Sequence, residues 1–251
     1  MENLILILAL IGLTAFLYAS VGHGGASSYL TILGFTSMLP QEIKITTLIL
    51  NVLVAGISML QYHKNTVYPW RFLLLLSLGS IPMAYLGGTI QLDPSIYKKA
   101  IGVILIFPIL QFSGFFQWAI EKNERVWRIS NNQKNVIFIF LGAFIGYISG
   151  LIGIGGGIIL SPVILYFGWL NAKETAGLSA GFIVLNSISG LIAQHKVIPQ
   201  MMQFNWVYLL LVSGTFGFLG SKWGAKKLNN FTLKRMLALV LFIASMKLIF
   251  S

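Results

Sequence analysis

Two stretches of this chain match each other: Val21-Gly22-His23-Gly24-Gly25 and Ile152-Gly153-Ile154-Gly155-Gly156. Each stretch follows a long apolar run and precedes a shorter one. Glycine lets a chain leave the helical conformation and lets backbone N–H groups approach a ligand without a side chain in the way. The paired runs therefore predict a duplicated unit with a helix interrupted at the same place in each half.

The match continues beyond the glycine runs. Leu50-Asn51 corresponds to Leu185-Asn186, and His63-Lys64 to His195-Lys196, with an offset that drifts from 131 to 135. The hydrophobic segments, cut at charges, prolines and turn residues, are 3–21, 26–39, 45–62, 71–90 and 97–119, then 135–152, 158–169, 175–194, 205–221 and 232–250. We therefore divide the chain into a first repeat (1–120), a polar linker (121–134) and a second repeat (135–251).

The composition is that of a membrane protein. Apolar residues make up 57% of the 251 positions, charged residues only 9%, and the mean hydropathy is +0.84. An ordinary soluble domain has roughly 25% charged residues. The sequence therefore predicts an all-α polytopic membrane protein, with two repeats of about five hydrophobic segments and a glycine-rich break between a long and a short segment in each.

The net charge of +11 does not indicate a nucleic-acid partner, because the basic residues lie between the apolar runs, where membrane-surface loops are expected. Cysteine is absent, which excludes disulfides and thiolate metal sites. The first apolar run is expected to be retained rather than cleaved as a signal peptide, since Met1-Glu2-Asn3 carries no Lys or Arg.

The distribution of Lys and Arg favours inverted repeats. If each half crosses the bilayer an odd number of times, one side collects twelve basic residues and the other side five, whereas parallel halves give nine against eight. The larger group is Lys64, Arg71, Lys122, Arg125, Arg128, Lys134, Lys173, Lys222, Lys226, Lys227, Lys234 and Arg235, and the smaller is Lys44, Lys98, Lys99, Lys196 and Lys247. Because cytoplasmic loops carry the excess of positive charge, both termini are predicted outside and the linker inside.

Inverted repeats with interrupted helices place a binding site near the midplane, where the two breaks face each other. Helix N-terminal N–H groups carry partial positive charge and suit an anion. The candidate substrate-binding residues are Gly22, His23, Gly24, Gly25, Ser27, Ser28, Asn51, Gly153, Gly155, Gly156, Gly157 and Asn186. The alternative, that glycines only allow close helix packing, is favoured for the scattered Gly87, Gly88, Gly214, Gly217 and Gly220.

Other polar residues at membrane depth allow two interpretations. Asn51 and Asn186 could donate to an anion or bond to a neighbouring helix. Gln61 and Gln194 are expected at solvated interface ends. His23 is the only ionisable residue expected deep in the membrane, so it is a functional candidate; imidazole ordinarily titrates near pH 6.5.

The glycine breaks, the Ser161-Pro162 pair and the Ala176-Gly177-Leu178-Ser179 stretch resemble the sulfite exporter TauE/SafE family of membrane permeases. The resemblance covers about residues 10–250 and is strongest in the second half, because the first half has His23 in its glycine run and lacks the usual proline after it. It implies transport of a small sulfur-containing anion, such as sulfite or an organosulfonate, across a bacterial inner membrane by a multi-pass protein.

A secondary transporter with alternating access explains duplication, inversion and breaks together, and a passive anion channel is the alternative. An enzyme is not expected, because three His and six acidic residues supply neither a nucleophile with its base nor a metal cluster. No cofactor or metal is expected. The expected partners are the small anion, the lipid bilayer and, through His23 or the substrate itself, protons.

The charge distribution generates a topology prediction. A single Cys introduced into the linker 121–134 of this naturally cysteine-free chain should stay unlabelled by a membrane-impermeant thiol reagent in intact cells and become labelled after lysis. A Cys placed at Ser251 serves as the control and should label from outside. Labelling of the linker in intact cells would reverse the predicted orientation.

Overall fold

The computed structural model describes residues 2–36, 38–113, 131–195, 205–226 and 242. Within those ranges the chain is helical and forms no strand. The helices are α1 (Glu2–Ala19), α2 (Ala26–Gly34), α3 (Pro40–Asn65), α4 (Trp70–Thr89), α5 (Pro94–Ile104), α6 (Ile106–Ser113), α7 (Asn131–Ile152), α8 (Gly157–Tyr166), α9 (Ala172–Ala193) and α10 (Asn205–Lys226). The predicted linker 121–134 lies largely, and the predicted segment 232–250 almost entirely, outside the described residues.

Among the described residues, four helices are long and apolar enough to cross a bilayer: α3, α4, the 135–152 part of α7, and α9. At 1.5 Å per residue their 18 to 26 residues reach about 27 to 39 Å, close to the hydrocarbon thickness of about 30 Å. In contrast, α2 with 9 residues and α8 with 10 residues reach only about 15 Å. The chain is therefore a polytopic all-α membrane protein with two short helices of about half the bilayer thickness.

Glycine-lined contacts hold the long helices together. On α7, Gly142, Gly146 and Gly150 are four residues apart and lie against the backbone of Leu76, Ser80 and Ala84 on α4. A Cβ on any of the three glycines would overlap a carbonyl oxygen of α4. Small residues let membrane helices approach backbone to backbone, where dispersion contacts replace the hydrophobic effect.

The second close contact joins α1 to α10. Gly220 lies against the Phe16 carbonyl and Gly224 against the Ser20 carbonyl. On the α4–α7 side, Gly87 lies in the same way against the carbonyl of Tyr147. The packing role expected for Gly87 and Gly220 is thus what the structure shows.

The helix partners exchange between the two halves. In each half the first helix packs against the fourth helix of the other half, α1 against α10 and α7 against α4, while α3 packs against α9 between them. Such an exchange is the arrangement that two related repeats produce when they interlock. The inverted orientation of the repeats relative to a bilayer stays a prediction.

One predicted segment is interrupted. The sequence predicts one long hydrophobic segment over 97–119, and its described part divides into α5 and α6 at Leu105. A proline at position 108 has no N–H to donate to the carbonyl of residue 104, so the sequence itself removes one bond of a continuous helix there. The interruption therefore has a local cause in the sequence.

The α4–α7 contact generates a stability prediction. Gly146→Ala should destabilise the protein by about 1–3 kcal/mol, because the new Cβ would lie 2.6 Å from Ser80 Cα and force the helices apart. The matched control is Gly56→Ala in α3, where a Cβ meets nothing within 4 Å. Thermal unfolding in detergent should show a lower midpoint for Gly146→Ala only, and equal midpoints would mean that the contact is not tight.

Candidate functional site

The two glycine runs form breaks with similar backbone geometry. The φ angles are positive at Gly22 (78°) and Gly25 (98°) in the first break, and at Gly153 (93°), Gly155 (74°) and Gly156 (78°) in the second. Residues with a side chain larger than hydrogen rarely adopt this left-handed backbone conformation. Glycine is therefore required at these positions by the backbone itself.

Each break ends where a short helix begins. Gly25 is the N-cap of α2 and Gly156 the N-cap of α8, and neither residue supplies a side-chain cap. The first in-helix bonds run from Ser28 and Tyr29 to the Gly25 carbonyl, and from Ile159 and Leu160 to the Gly156 carbonyl. The N–H groups just before them have no partner within their own helix, so each short helix presents a positive end to the break.

Tyrosine hydroxyls fix the helix ends that enter the breaks. Tyr62 of α3 donates to the Ser20 carbonyl at 2.8 Å, and Tyr97 of α5 donates to the Ile152 carbonyl at 2.8 Å. Tyr68, in the α3–α4 loop, donates to the Gly177 carbonyl of α9 at 3.0 Å, and burial raises the pKa of its hydroxyl, which keeps it a donor. The carbonyls left over at the ends of α1 and α7 thus find partners in other helices.

His23 joins the first break to the second half. Its side chain is buried, and Nε2 lies 3.3 Å from the Gly157 carbonyl oxygen and 3.0 Å from Ser161 Oγ. Ser161 Oγ lies in turn 2.6 Å from Ser179 Oγ. Because a carbonyl oxygen can only accept, the geometry favours a proton on Nε2, as in one neutral tautomer or in the imidazolium.

Asn51 lies between the two breaks. A Cβ on Gly24 would overlap Asn51 Oδ1, and a Cβ on Gly155 would lie 3.0 Å from Asn51 Nδ2 and 3.1 Å from Ser187 Oγ. The Asn51 side chain is fully buried, and neither its oxygen nor its nitrogen has a hydrogen-bond partner among the described residues. An unpaired buried amide costs about 1–3 kcal/mol by protein mutational measurements, so it calls for an explanation.

Asn186 is placed differently from Asn51. Its Nδ2 donates to the Phe182 carbonyl of its own helix at 2.8 Å. Helices α3 and α9 start in the same way, since Glu42 and Glu174 each accept a hydrogen bond from the N-cap N–H. When the two helices are aligned on these acids, residue 183 rather than 186 takes the place of Asn51. Gly155 accordingly faces Ile183.

The remaining candidate residues line the breaks or support them. Ser27 and Ser28 are buried in the first turn of α2. Gly22 lies against the Ala176 carbonyl, Gly25 against the Tyr29 ring, Gly153 against Lys44, Gly156 against Phe182, and Gly157 against Ile183. Among the described residues, no three His, Asp or Glu side chains lie together as metal ligands would.

Three further polar residues belong to this region and were not among the predicted site residues: Ser161, Ser179 and Ser187. The first two lie in the Ser161-Pro162 and Ala176-Gly177-Leu178-Ser179 stretches on which the family resemblance rests. That resemblance was the available signal for them. Ser187 has no such signal, since serine is common in membrane helices.

Comparison with known proteins identifies the chain. The family described as Sulfite exporter TauE/SafE matches residues 6–248. The chain belongs to this family. The probable membrane transporter protein y4hK of Sinorhizobium fredii is 31% identical over 238 residues, which is 94% of each chain. The probable membrane transporter protein YjnA of Bacillus subtilis is 23% identical over 254 residues, covering 96% of this chain and 95% of its own.

A third relative, the probable membrane transporter protein MJ0441 of Methanocaldococcus jannaschii, is 27% identical over 197 residues, covering 76% of this chain and 70% of its own. No solved structure matches the chain. The protein is thus a multi-pass membrane transporter of the TauE/SafE family.

The unpaired amide generates a stability prediction. Asn51→Leu removes a buried amide without changing the side-chain volume much. It should leave the free energy of unfolding unchanged or raise it by up to about 1–3 kcal/mol, so the unfolding midpoint should not fall. Asn186→Leu is the matched control, since it removes an amide that bonds to Phe182. A clearly lower midpoint for Asn51→Leu than for Asn186→Leu in thermal unfolding would make Asn51 a structural residue.

Proposed function

We propose that this protein is a secondary transporter that moves a small sulfur-containing oxyanion across the cell inner membrane by alternating access. The observation that carries the proposal is the fully buried Asn51 amide between the two glycine breaks, which has no hydrogen-bond partner in the described part of the chain. An amide that costs stability in the free protein is retained where a ligand completes its hydrogen bonds.

The charge of the proposed ligand follows from the donors around the site. The α2 and α8 N-termini contribute partial positive charge, and Asn51 Nδ2 adds an N–H donor. His23, whose Nε2 already lies against the Gly157 carbonyl oxygen, would add a positive charge beside the break in its imidazolium form. Such a set favours an anion over a cation, and the sulfur-containing class is supported by the family membership.

Alternating access is supported by how the helices group. The tight α4–α7 contact joins two helices of different halves, and the α1–α10 contact does the same. Helix α3 packs against α10, so α1, α3 and α10 form one group, which holds the first break. Helix α9 packs against α4, so α4, α7 and α9 form the other group, which holds the second break. The two groups meet along α3 and α9. Rocking of one group against the other would expose a site beside Asn51 to each side in turn.

The proposal predicts saturable sulfite transport by purified protein in liposomes. Internal unlabelled sulfite should accelerate uptake of radiolabelled sulfite, as a carrier requires, whereas a passive channel would show no such counterflow. Gly155→Leu should abolish transport, because its side chain would enter the site beside Asn51. The control is Gly168→Leu, which has the same kind of positive φ (63°) but open space around it. Absence of flux with sulfite and with a panel of organosulfonates would refute the proposal.

In the same assay His23→Gln tests the proton. A protonated imidazole and a bound anion stabilise each other, so wild-type affinity should rise as pH falls from 8 towards 5.5. Glutamine keeps a donor near Gly157 but cannot titrate, so the pH dependence should flatten while the protein still folds. Parallel curves for the two proteins, after correction for the titration of sulfite itself, would remove His23 from the mechanism.

A further inference from the structure

Lys44 is a buried cation. The sequence places it in a loop before a segment that starts at residue 45, but α3 begins at Pro40 and the Lys44 side chain is only 4% exposed. Its ammonium group has no carboxylate partner in the part of the chain that the structure describes. The neighbouring Glu42 instead accepts from the Leu39 N–H at 2.8 Å. Thus His23 is not the only ionisable residue inside the protein.

The ammonium group lies in a small polar network. Lys44 Nζ donates to the Gly88 carbonyl at 3.2 Å, and Gln194 Nε2 donates to the same oxygen. Gln41 Nε2 donates to Gln194 Oε1 at 2.8 Å. Gln194 was expected at a solvated helix end, but it is 4% exposed and takes part in this network.

A structural role alone does not explain Lys44. Gly88 lies near the C-terminal end of α4, where a cation or donor stabilises the last carbonyls. Gln194 already supplies a donor to that carbonyl. An ammonium has three N–H donors, and only one of those of Lys44 is used by a described residue. Burying a positive charge without a counter-charge is costly, so a second role is indicated.

The network lines a cavity of about 220 Å³ at one end of α3 and α9. The cavity is lined by Pro40, Gln41, Lys44, Gln91, Tyr97 and Gln194, among others. A water molecule takes about 30 Å³ of liquid, so the cavity has room for an oxyanion together with some of its hydration water. The spare N–H groups of Lys44, Gln41 and Gln194 are the donors that such an anion needs.

The cavity adjoins the candidate central site. Lys44 packs against Gly153 at the start of the second break, where a Cβ on the glycine would lie 2.9 Å from Lys44 Cγ. Asn51 follows Lys44 by seven residues, two helical turns or about 10 Å along the same face of α3. Thr47 lies between them on that face, fully buried, with a hydroxyl that has no described partner.

We propose that Lys44, Gln41 and Gln194 form a second anion-binding site, which takes a free small oxyanion before it reaches the central site or after it leaves. This Lys44 site is distinct from the glycine breaks, and Thr47 provides a polar step between the two. The binding at Lys44 stands by itself, whereas its place on the transport path rests on the proposed function.

Sulfite binding to purified protein in neutral detergent tests the site. Lys44→Met should remove one of two sulfite-binding components, or weaken it at least tenfold, whereas Lys99→Met should change neither, since Lys99 is an exposed cation on the adjacent helix α5. Asn51→Leu should remove the other component and leave the Lys44 component intact. Unchanged binding in Lys44→Met would overturn the proposal. If Asn51→Leu lost its sulfite-binding component but still transported sulfite normally, only the proposed function would be refuted.

A second measurement needs no folded Lys44 variant. In the wild-type protein, sulfite should protect Lys44, but not Lys99, from a small amine-acylating reagent, with modification read by mass spectrometry. The protection should be the same in nanodiscs of neutral lipid and in nanodiscs that contain phosphatidylglycerol. Protection by the anionic lipid and none by sulfite would assign the cavity to a lipid phosphate and overturn the site for a free anion. Equal modification of Lys44 with and without either would also overturn it.

Discussion

The fold depends on one constraint: the backbone polar groups at the two buried glycine breaks must find partners, because a buried group without one costs about 1–3 kcal/mol. The Tyr62 and Tyr97 hydroxyls serve the carbonyls at the ends of α1 and α7. These tyrosines come from α3 and α5, so each break is stable only when several helices have assembled around it. The close glycine contacts bring those helices near enough for the hydroxyls to reach.

The duplicated scaffold carries an unequal set of side chains. His23 in the first break corresponds to Ile154 in the second, and Asn51 of α3 corresponds in helix register to Ile183 of α9. Both polar members come from the first half, while Ser161 and Ser179 of the second half lie opposite His23. At these two matched positions only the first half offers a hydrogen-bonding side chain, and the second half offers hydroxyls and the α8 N-terminus instead. The two breaks are thus alike in backbone, and the two halves differ in the polar side chains that lie beside them.

The class of fold could be predicted from sequence because its signals are local. The glycine runs, the apolar run lengths and the small residues of the long helices all lie within single segments. The start of α3 was missed by five residues, although Pro40 and Glu42 form a helix-start signal. That error placed Lys44 in a loop and hid its network. The match of Asn51 with Asn186 differs by three residues from the helix alignment, which pairs Asn51 with residue 183. It rests on an identical Leu-Asn dipeptide, whereas the capping acids Glu42 and Glu174 determine where the two helices start. The partners of the two tyrosine contacts lie 42 and 55 residues apart in the chain, and no local pattern marks them.

The tightness of the helix contacts limits where the molecule can move. Along α4–α7 and α1–α10 backbone meets backbone, so sliding would drive carbonyl oxygens into Cα atoms. At the α3–α9 contact the neighbours are side chains instead: Gly190 faces the Leu48 methyl groups, and Gly155 faces Ile183 and Ser187 as well as Asn51. Side chains can change rotamer at small cost, whereas backbone contacts cannot adapt without separating. The proposed alternating access therefore has its softest interface where Asn51 and the two breaks meet, and the Lys44 cavity lies at one end of that same interface.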